Sequence, residues 1–237
     1  MLPSISIIIP TFHEAENLPL LVEKLALLVP HFTKFEVIIV DDNSQDNSSE
    51  ILSRLSQHYT WLRYYIRKEN PDLSLSVLRG LKQAAHETLV VMDADLSHDP
   101  TEVIKLVTAL TESQADFALG SRFIAESKID ENWPFIRRCN AWVAKFLARN
   151  LTQLNDPLSG FFCIKSETFK SASTLSPIGY KIALELMVKC HCQKIIEVPI
   201  HFHERCKGSS KLNLKQQINY LRHLFRLYRY QRAIKHG

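Results

Sequence analysis

The sequence predicts an α/β fold, a mostly parallel sheet with helices on both faces. Three observations point there. Short β-branched runs alternate with longer stretches of helical apolar spacing from the start of the chain. The short runs are continuously apolar, as strands covered on both faces are. Acidic and polar segments follow directly on the ends of these runs, where open α/β sheets hold ligands.

Taken in order, Ile5 to Ile9 reads as a buried strand ending at Pro10. Glu14 to Val29 carries Leu18, Leu21, Val22, Leu25 and Leu28 at helical spacing, with Pro30 closing the helix. Val37 to Val40 is a second buried strand, and Asn43-Ser44 can cap a helix running to about Gln57. Leu62 to Ile66 is a third strand and Leu73 to Ala85 a helix. Leu89 to Met92 is a fourth strand, Pro100 opens a helix, and Phe117 to Leu119 is a fifth strand. Trp133 to Leu151 and Ile182 to Cys192 read as helices, Phe161 to Ile164 and Ile195 to Val198 as strands. A long helix is expected from Asn213 onward.

The chain of 237 residues is 46% hydrophobic and 23% charged, which suits one folded domain with an appended element. Its net charge of +4 is unevenly spread. Arg205 to Gly237 holds nine Lys or Arg and no Asp or Glu, so +9 there leaves −5 for the rest. A basic tail on an acidic body calls for an anionic partner, lipid headgroups or nucleic acid. Five cysteines, Cys139, Cys163, Cys190, Cys192 and Cys206, show no disulfide spacing and fit a reducing compartment. Met-Leu-Pro-Ser at the start lacks a basic n-region and h-region, and no apolar stretch is long enough to span a bilayer. Any membrane contact is therefore expected to be peripheral.

The chemistry-bearing segments fall after strands: Pro10 to Glu14, Asp41 to Ser44, Asp93 to His98, and Gly120-Ser121-Arg122. All four are expected on one rim. Asp93-Ala94-Asp95 is the most informative, since two carboxylates flanking a small residue can share a hard divalent cation. Such an ion would neutralise charge on a diphosphate leaving group. The plainer alternative is a solvated turn that caps a helix. Asp41-Asp42 could likewise cap a helix, or accept hydrogen bonds from a base or ribose. Glu14 could sit favourably in a first helical turn, or frame a nucleobase with Pro10 and Phe12.

Read together, Ile-Pro-Thr-Phe-His-Glu (9–14), Val-Asp-Asp-Asn-Ser (40–44), Asp-Ala-Asp-Leu-Ser-His (93–98) and Gly-Ser-Arg (120–122) resemble the inverting family-2 glycosyltransferases. Asp-Pro-Leu-Ser-Gly-Phe (156–161), Gly-Tyr-Lys-Ile-Ala-Leu-Glu (179–185), Glu-Val-Pro-Ile (197–200), and Arg205 with Gly208-Ser209-Ser210-Lys211 extend the match. These later pieces are similar to the dolichyl- or polyprenyl-phosphate mannose synthase branch. The resemblance implies a GT-A (Rossmann-like) fold over residues 1–211, followed by a basic amphipathic helix over 212–237. It implies a metal-dependent hexosyltransferase using Mg²⁺ or Mn²⁺. By position, Pro10, Phe12, Glu14, Val40 and Asp42 should contact the donor nucleoside. Asp93, Ala94 and Asp95 should serve donor and metal, with Ser97 a further metal contact. Arg122, Arg205 and Lys211 resemble the cations that hold phosphates. The segment Asn70 to Ser74 departs from the Gly-rich turn usual in relatives, Phe162 stands where an Arg is common, and Arg137 to Asn140 matches the acceptor-gripping segment only loosely.

The implied reaction moves a sugar, mannose from GDP-mannose as the first choice, onto a polyprenyl or dolichyl phosphate, with inversion. The nucleophile is a phosphate monoester with a second pKa of about 6, already ionised at neutral pH. Alignment, phosphate clamping and leaving-group stabilisation then matter more than a general base. Asp93, Asp95, Arg205 and Lys211 are the residues expected to supply them. The alternatives are a UDP-sugar donor with another acceptor, or an inactive nucleotide-sugar-binding or nucleic-acid-binding protein.

In the tail, Leu214, Ile218, Leu221, Phe225 and Tyr228 form one apolar stripe, with Lys215, Arg222, Arg226, Arg229 and Arg232 at other angles. This suits a helix lying on an anionic membrane surface, or one docked on the domain with a basic outer face. The expected setting is the cytoplasmic face of a membrane, with a membrane-anchoring subunit allowed as a partner. No recognised nucleic-acid module is present. P-loop and nicotinamide chemistry, and nucleotidyl transfer, lack their Gly-rich loop here. A zinc site from Cys190, Cys192, His201, His203 and Cys206 matches no common ligand spacing.

Overall fold

The structure, a computed structural model, describes residues 1–69, 71–130, 135–172, 174–179, 181–204 and 214–236. The strands are β1 (Ile5–Thr11), β2 (Phe35–Asp41), β3 (Leu62–Ile66), β4 (Thr88–Val91), β5 (Phe117–Ser121), β6 (Lys128–Ile129), β7 (Phe162–Lys165), β8 (Ile195–Pro199) and β9 (His201–Phe202). The helices are α1 (Leu18–Ala26), α2 (Ser48–His58), α3 (Leu73–Gln83), α4 (Glu102–Ser113), α5 (Phe135–Ala148), α6 (Ser166–Lys170), α7 (Ile182–Lys189) and α8 (Leu214–His236). Seven strands form one sheet in the order β3-β2-β1-β4-β7-β5-β8, and β6 and β9 make a separate parallel pair.

β1 is central because it is apolar on both sides. Ile5, Ile7, Ile8 and Ile9 are all fully buried. Full burial of one such side chain contributes about 1.5–3 kcal/mol, so a solvent-facing edge would forfeit several times that. Ile7 and Ile9 join α1 and α4 in one core cluster, through Leu21 and Leu106. Ile8 joins α3 and α7 on the other face, through Val77 and Leu184. Helices therefore cover both faces, as expected.

β1 pairs in parallel with β2 on one side and β4 on the other. The order reverses there, which opens a crevice at the carboxyl ends of β1 and β4. β7 runs antiparallel between β4 and β5, with Phe162 opposite both Val91 and Leu119. The chain entering β7 thus lies at the same rim as the ends of β4 and β5. This brings residues 156–161 beside Asp93.

Some element bounds differ from the sequence expectation. α1 begins at Leu18, because residues 14–17 form a turn in which Asn17 N–H donates to Glu14 O at 2.9 Å. α2 begins at Ser48 with Asn47 at its N-cap, since Ser44 is engaged elsewhere, donating Oγ–H to Asp41 Oδ2 at 2.6 Å. α7 ends at Lys189, leaving Cys190 and Cys192 past its end.

α8 docks by a face that takes Tyr228 from the expected stripe but turns Ile218, Leu221 and Phe225 outward. Tyr220, His223, Leu224 and Leu227 are buried, whereas Ile218, Leu221 and Phe225 are 43%, 52% and 64% exposed. Tyr220 and Tyr228 donate their hydroxyls to Ala144 O (2.8 Å) and Leu147 O (2.5 Å) of α5. His223 Nε2 lies 2.7 Å from Glu185 Oε2 of α7, both side chains 1% exposed. No helix among the described residues is long and apolar enough to cross a membrane.

Candidate active site at the strand-end crevice

Three turns at the rim hold non-glycine residues in the left-handed region: His13 after β1, Asn43 after β2 and Leu96 after β4, with φ of 56°, 56° and 60°. Each such residue is a local strain, and strain concentrates where a turn aims side chains at a ligand. After β1, Pro10 is buried and Phe12 is half-buried, its ring 4.1 Å from that of His13. His13 N–H donates to Ser44 Oγ at 2.8 Å, tying this turn to the one after β2. Glu14 Oε2 accepts from Asn17 Nδ2 at 2.7 Å. Val40 is fully buried inside β2.

Asp42 is also buried, and both its oxygens are taken. Oδ1 pairs with Arg67 Nη1, and Oδ2 accepts from Asp72 N–H at 2.7 Å. Burial pushes its carboxyl up, while Ser76, Arg67 and the Asp72 amide pull it back. As placed, Asp42 organises the loop before α3, and each of its oxygens keeps a second lone pair that could accept from a ribose hydroxyl.

After β4, Ala94 and Asp95 are buried and Asp93 is one-third exposed to the crevice. Left-handed Leu96 turns the chain so that Ser97 N–H donates to Asp95 Oδ1 at 3.1 Å. Two buried polar atoms beside these carboxylates, Ser97 Oγ and His98 Nδ1, make no hydrogen bond among the described residues. His98 Nδ1 stands 3.9 Å from Asp93 Oδ2, and its ring stacks on Phe161 at 5.0 Å. Burial holds the imidazole below its usual pKa, hence neutral near pH 7. An orphaned buried hydroxyl next to two carboxylates is a donor set that fits a hard divalent ion. Asp93, Asp95 and Ser97 are the residues that could hold it.

Gly160 explains how close the opposite wall comes: a Cβ there would stand 3.1 Å from both Asp93 oxygens. Its loop is fixed from below. Glu197 of β8 accepts the backbone N–H groups of Asn155 and Asp156, both at 2.9 Å. Asp156 in turn takes Arg122 in a two-pronged pair, Nε at 2.7 Å and Nη2 at 2.8 Å. Asp156 raises the Arg122 pKa further, against burial. Arg122 is thus a fixed cation near Asp93, its fork closed on Asp156 and its plane over the Phe202 ring at 5.1 Å.

Sequence reasoning gave no role to Lys181, yet it belongs here. Its Nζ donates to Leu158 O at 2.9 Å, and burial and Arg122 lower its pKa to about 8, against Asp156 and Asp93. At neutral pH it is still mostly protonated, and an arriving anion would favour that charged form further. Its signal was the 179–185 segment, whose spacing alone does not say which side chain turns inward. Arg205 and Lys211 lie outside the described residues, as does Tyr180.

The model of the Glycosyl transferase family 2 domain matches residues 6–169. Dolichol-phosphate mannosyltransferases from Mycosarcoma maydis and Saccharomyces cerevisiae are 40% and 39% identical over 97% and 94% of this chain, covering 80% and 86% of those proteins. The Pyrococcus furiosus protein of the same name is 37% identical over 97% of this chain, which spans 65% of its length. Among solved structures, glucosyl-3-phosphoglycerate synthase from Mycobacterium tuberculosis, in complex with Mn²⁺, UDP and glucosyl-3-phosphoglycerate, superposes with a TM-score of 0.68 at 18% identity. That match covers 95% of this chain and 78% of the synthase, and it bears on the fold alone. With its sheet order, its rim of acidic turns and these relatives agreeing, the chain belongs to glycosyl transferase family 2.

Proposed function

We propose that this chain transfers mannose from GDP-mannose onto a dolichyl or polyprenyl phosphate, inverting the anomeric centre. The observation that carries the proposal is the Asp93–Asp95 pair, with Ser97 Oγ orphaned beside it, at the topological switch point. The names of the curated relatives supply mannose and dolichol phosphate. Residues 1–211 would form the catalytic unit and 212–237 the membrane-facing helix.

Asp93, Asp95 and Ser97 would hold Mg²⁺ or Mn²⁺, which when bound withdraws negative charge from the departing diphosphate. The protein side chains do the rest. Phe12 and Glu14 stand past the end of β1, with buried Pro10 and Val40 behind them, where the nucleoside would lie, and Asp42 would border the same place. Ala94, small and buried, lets backbone approach the sugar closely. Arg122 and Lys181 place two cations by Asp93, and Arg205 and Lys211 would add phosphate contacts from the segment beyond β9. A lipid phosphate already ionised at neutral pH needs aiming more than deprotonation.

The exposed apolar strip on α8 would meet an anionic membrane surface, at the cytoplasmic face or with an anchoring subunit. Its neighbour α5 presents Trp142, Val143 and Phe146, which are 69%, 49% and 47% exposed. Arg149 sits 4.1 Å over the Phe146 ring, and Arg229 and Arg232 flank the same groove of about 510 Å³. Aromatic residues ringed by arginine suit a headgroup layer.

The test is product formation from labelled GDP-mannose and dolichyl phosphate, run beside UDP-glucose and UDP-N-acetylglucosamine, with Mn²⁺, Mg²⁺ or chelator. Asp93→Ala and Asp95→Ala are each expected to lower turnover by at least about 100-fold, the loss usual for one stabiliser of leaving-group charge. Full turnover in chelated buffer, or in the double alanine variant, would sink the proposal.

A further inference from the structure

Away from the carboxylate pair, the described residues bring one other set of metal-ligating side chains together: Asp130, His201 and His203. They meet because β6 and β9 pair in parallel, with Lys128 opposite His201 and Ile129 opposite Phe202. Asp130 N–H continues the ladder, donating to Phe202 O at 3.1 Å. Alternation along an extended chain sends neighbours to opposite sides. Phe202 turns to the crevice, its ring edge-on to His98 at 5.4 Å. His201 and His203 turn the other way, and their rings lie 3.9 Å apart.

The carboxylate bridges the two rings. His201 Nε2 lies 2.9 Å from Asp130 Oδ1, and His203 Nδ1 lies 3.6 Å from Asp130 Oδ2. All three ligand atoms fall within 4.8 Å of one another. A tetrahedral ion with bonds of about 2.0–2.1 Å holds its ligand atoms about 3.3–3.4 Å apart. The two separations, one to each oxygen of the carboxylate, lie on either side of that value, so small side-chain rotations would close the set on an ion. Glu204 N–H donates to Asp130 Oδ2 at 2.9 Å, the outer hydrogen bond that orients a ligating carboxylate. The three side chains are 34–38% exposed, open to an ion from solvent.

We propose that Asp130, His201 and His203 form a second metal site that takes Zn²⁺-class ions and clips β6 to β9. Two imidazoles and one carboxylate prefer borderline ions, whereas the all-oxygen set at 93, 95 and 97 prefers hard ones. The two sites therefore sort metals by chemistry. The clip backs the catalytic segment, because His203 N–H donates to Ser97 O at 2.9 Å. Spacing in the sequence hides this set, since Asp130 and His201 are 71 residues apart.

The test uses the full chain carrying Asp93→Asn and Asp95→Asn, which removes the hard-ion site. It is stripped with chelator and titrated with Zn²⁺ against a chromophoric competitor, with Co²⁺ as a spectroscopic stand-in. One equivalent of Zn²⁺ is expected, with a visible Co²⁺ band that Zn²⁺ displaces. His201→Ala, His203→Ala and the nearly isosteric Asp130→Asn should each weaken Zn²⁺ by at least about 100-fold, as losing even an outer partner can cost that much. Circular dichroism checks folding, and Asp130→Asn carries the test should a histidine variant not fold. A parent that holds no Zn²⁺, or a folded Asp130→Asn that holds it as tightly as the parent, overturns the proposal.

Discussion

At the scale of single residues, the site depends on a wall without side chain. Gly160 leaves 3.1 Å between an added Cβ and each Asp93 oxygen, tighter than ordinary carbon–oxygen contact. Gly160→Ala should therefore turn the carboxylate by a few tenths of an ångström. A misplacement of about 1 Å can cost about 100-fold in rate, so a smaller shift should cost about tenfold. The loss should be greatest at low Mn²⁺ and shrink as Mn²⁺ rises, with the thermal midpoint unchanged. A rate deficit independent of Mn²⁺ would show that Gly160 does not act through Asp93. The sequence displayed Asp93, Asp95 and Ser97 plainly, because all three lie within six residues of the end of β4. It did not display Asp42's partner, since Arg67 is 25 residues away. An acidic residue after a strand looks the same whether it awaits a ribose or is closed on an arginine. The same holds for Arg122, whose fork is taken by Asp156, 34 residues on.

At the scale of elements, periodicity reports what is apolar but not what it faces. The run Phe162–Lys165 reads as a strand in either direction, and only pairing with β4 and β5 makes it antiparallel. β6 and β9, two residues each, have no period to read. α8 carries apolar residues on more than one face, and the buried polar contact beneath it selects the docked one. Glu185 accepts from His223, Lys189 Nζ and Ser176 N–H, at 2.7, 2.8 and 2.6 Å. Burial raises the Glu185 carboxyl, but these hydrogen bonds together hold it below the usual carboxylate range. A depressed folded pKa means stability that is present above the unfolded value of about 4.3 and lost as pH falls through the folded one. Glu185→Gln leaves Lys189 buried without its counter-charge, which should cost about 3–5 kcal/mol at pH 7. Urea unfolding from pH 7 down to 3.5 should show the two proteins converging below about pH 4.3. A gap that stays constant across that range would mean that Glu185 contributes shape rather than charge.

At the scale of the whole molecule, the outer face of α5 and α8 is joined to the crevice by a chain of polar contacts. Lys145 of α5 donates to Asn155 Oδ1 at 2.9 Å, Asn155 is held by Glu197, and the next residue, Asp156, holds Arg122. A lipid-borne phosphate would be presented to the site while its tail stays in the bilayer, and these contacts tie α5 to the loop whose Asp156 holds Arg122. Trp142 and Phe225 are the most exposed aromatic side chains of the two helices among the described residues, so removing them should leave the fold intact. Burying one such ring contributes about 1.5–3 kcal/mol, roughly tenfold or more in partitioning. The double variant Trp142→Ser, Phe225→Ser should then bind phosphatidylglycerol-containing vesicles at least about 100-fold more weakly in flotation. Each basic residue near an anionic surface adds about 1 kcal/mol, so binding should also fall with salt and be much weaker on phosphatidylcholine alone. Activity toward a short, water-soluble prenyl phosphate should survive in the double variant, while activity toward dolichyl phosphate in vesicles falls. If the double variant floats as well as the parent, the face between α5 and α8 is not what meets the membrane.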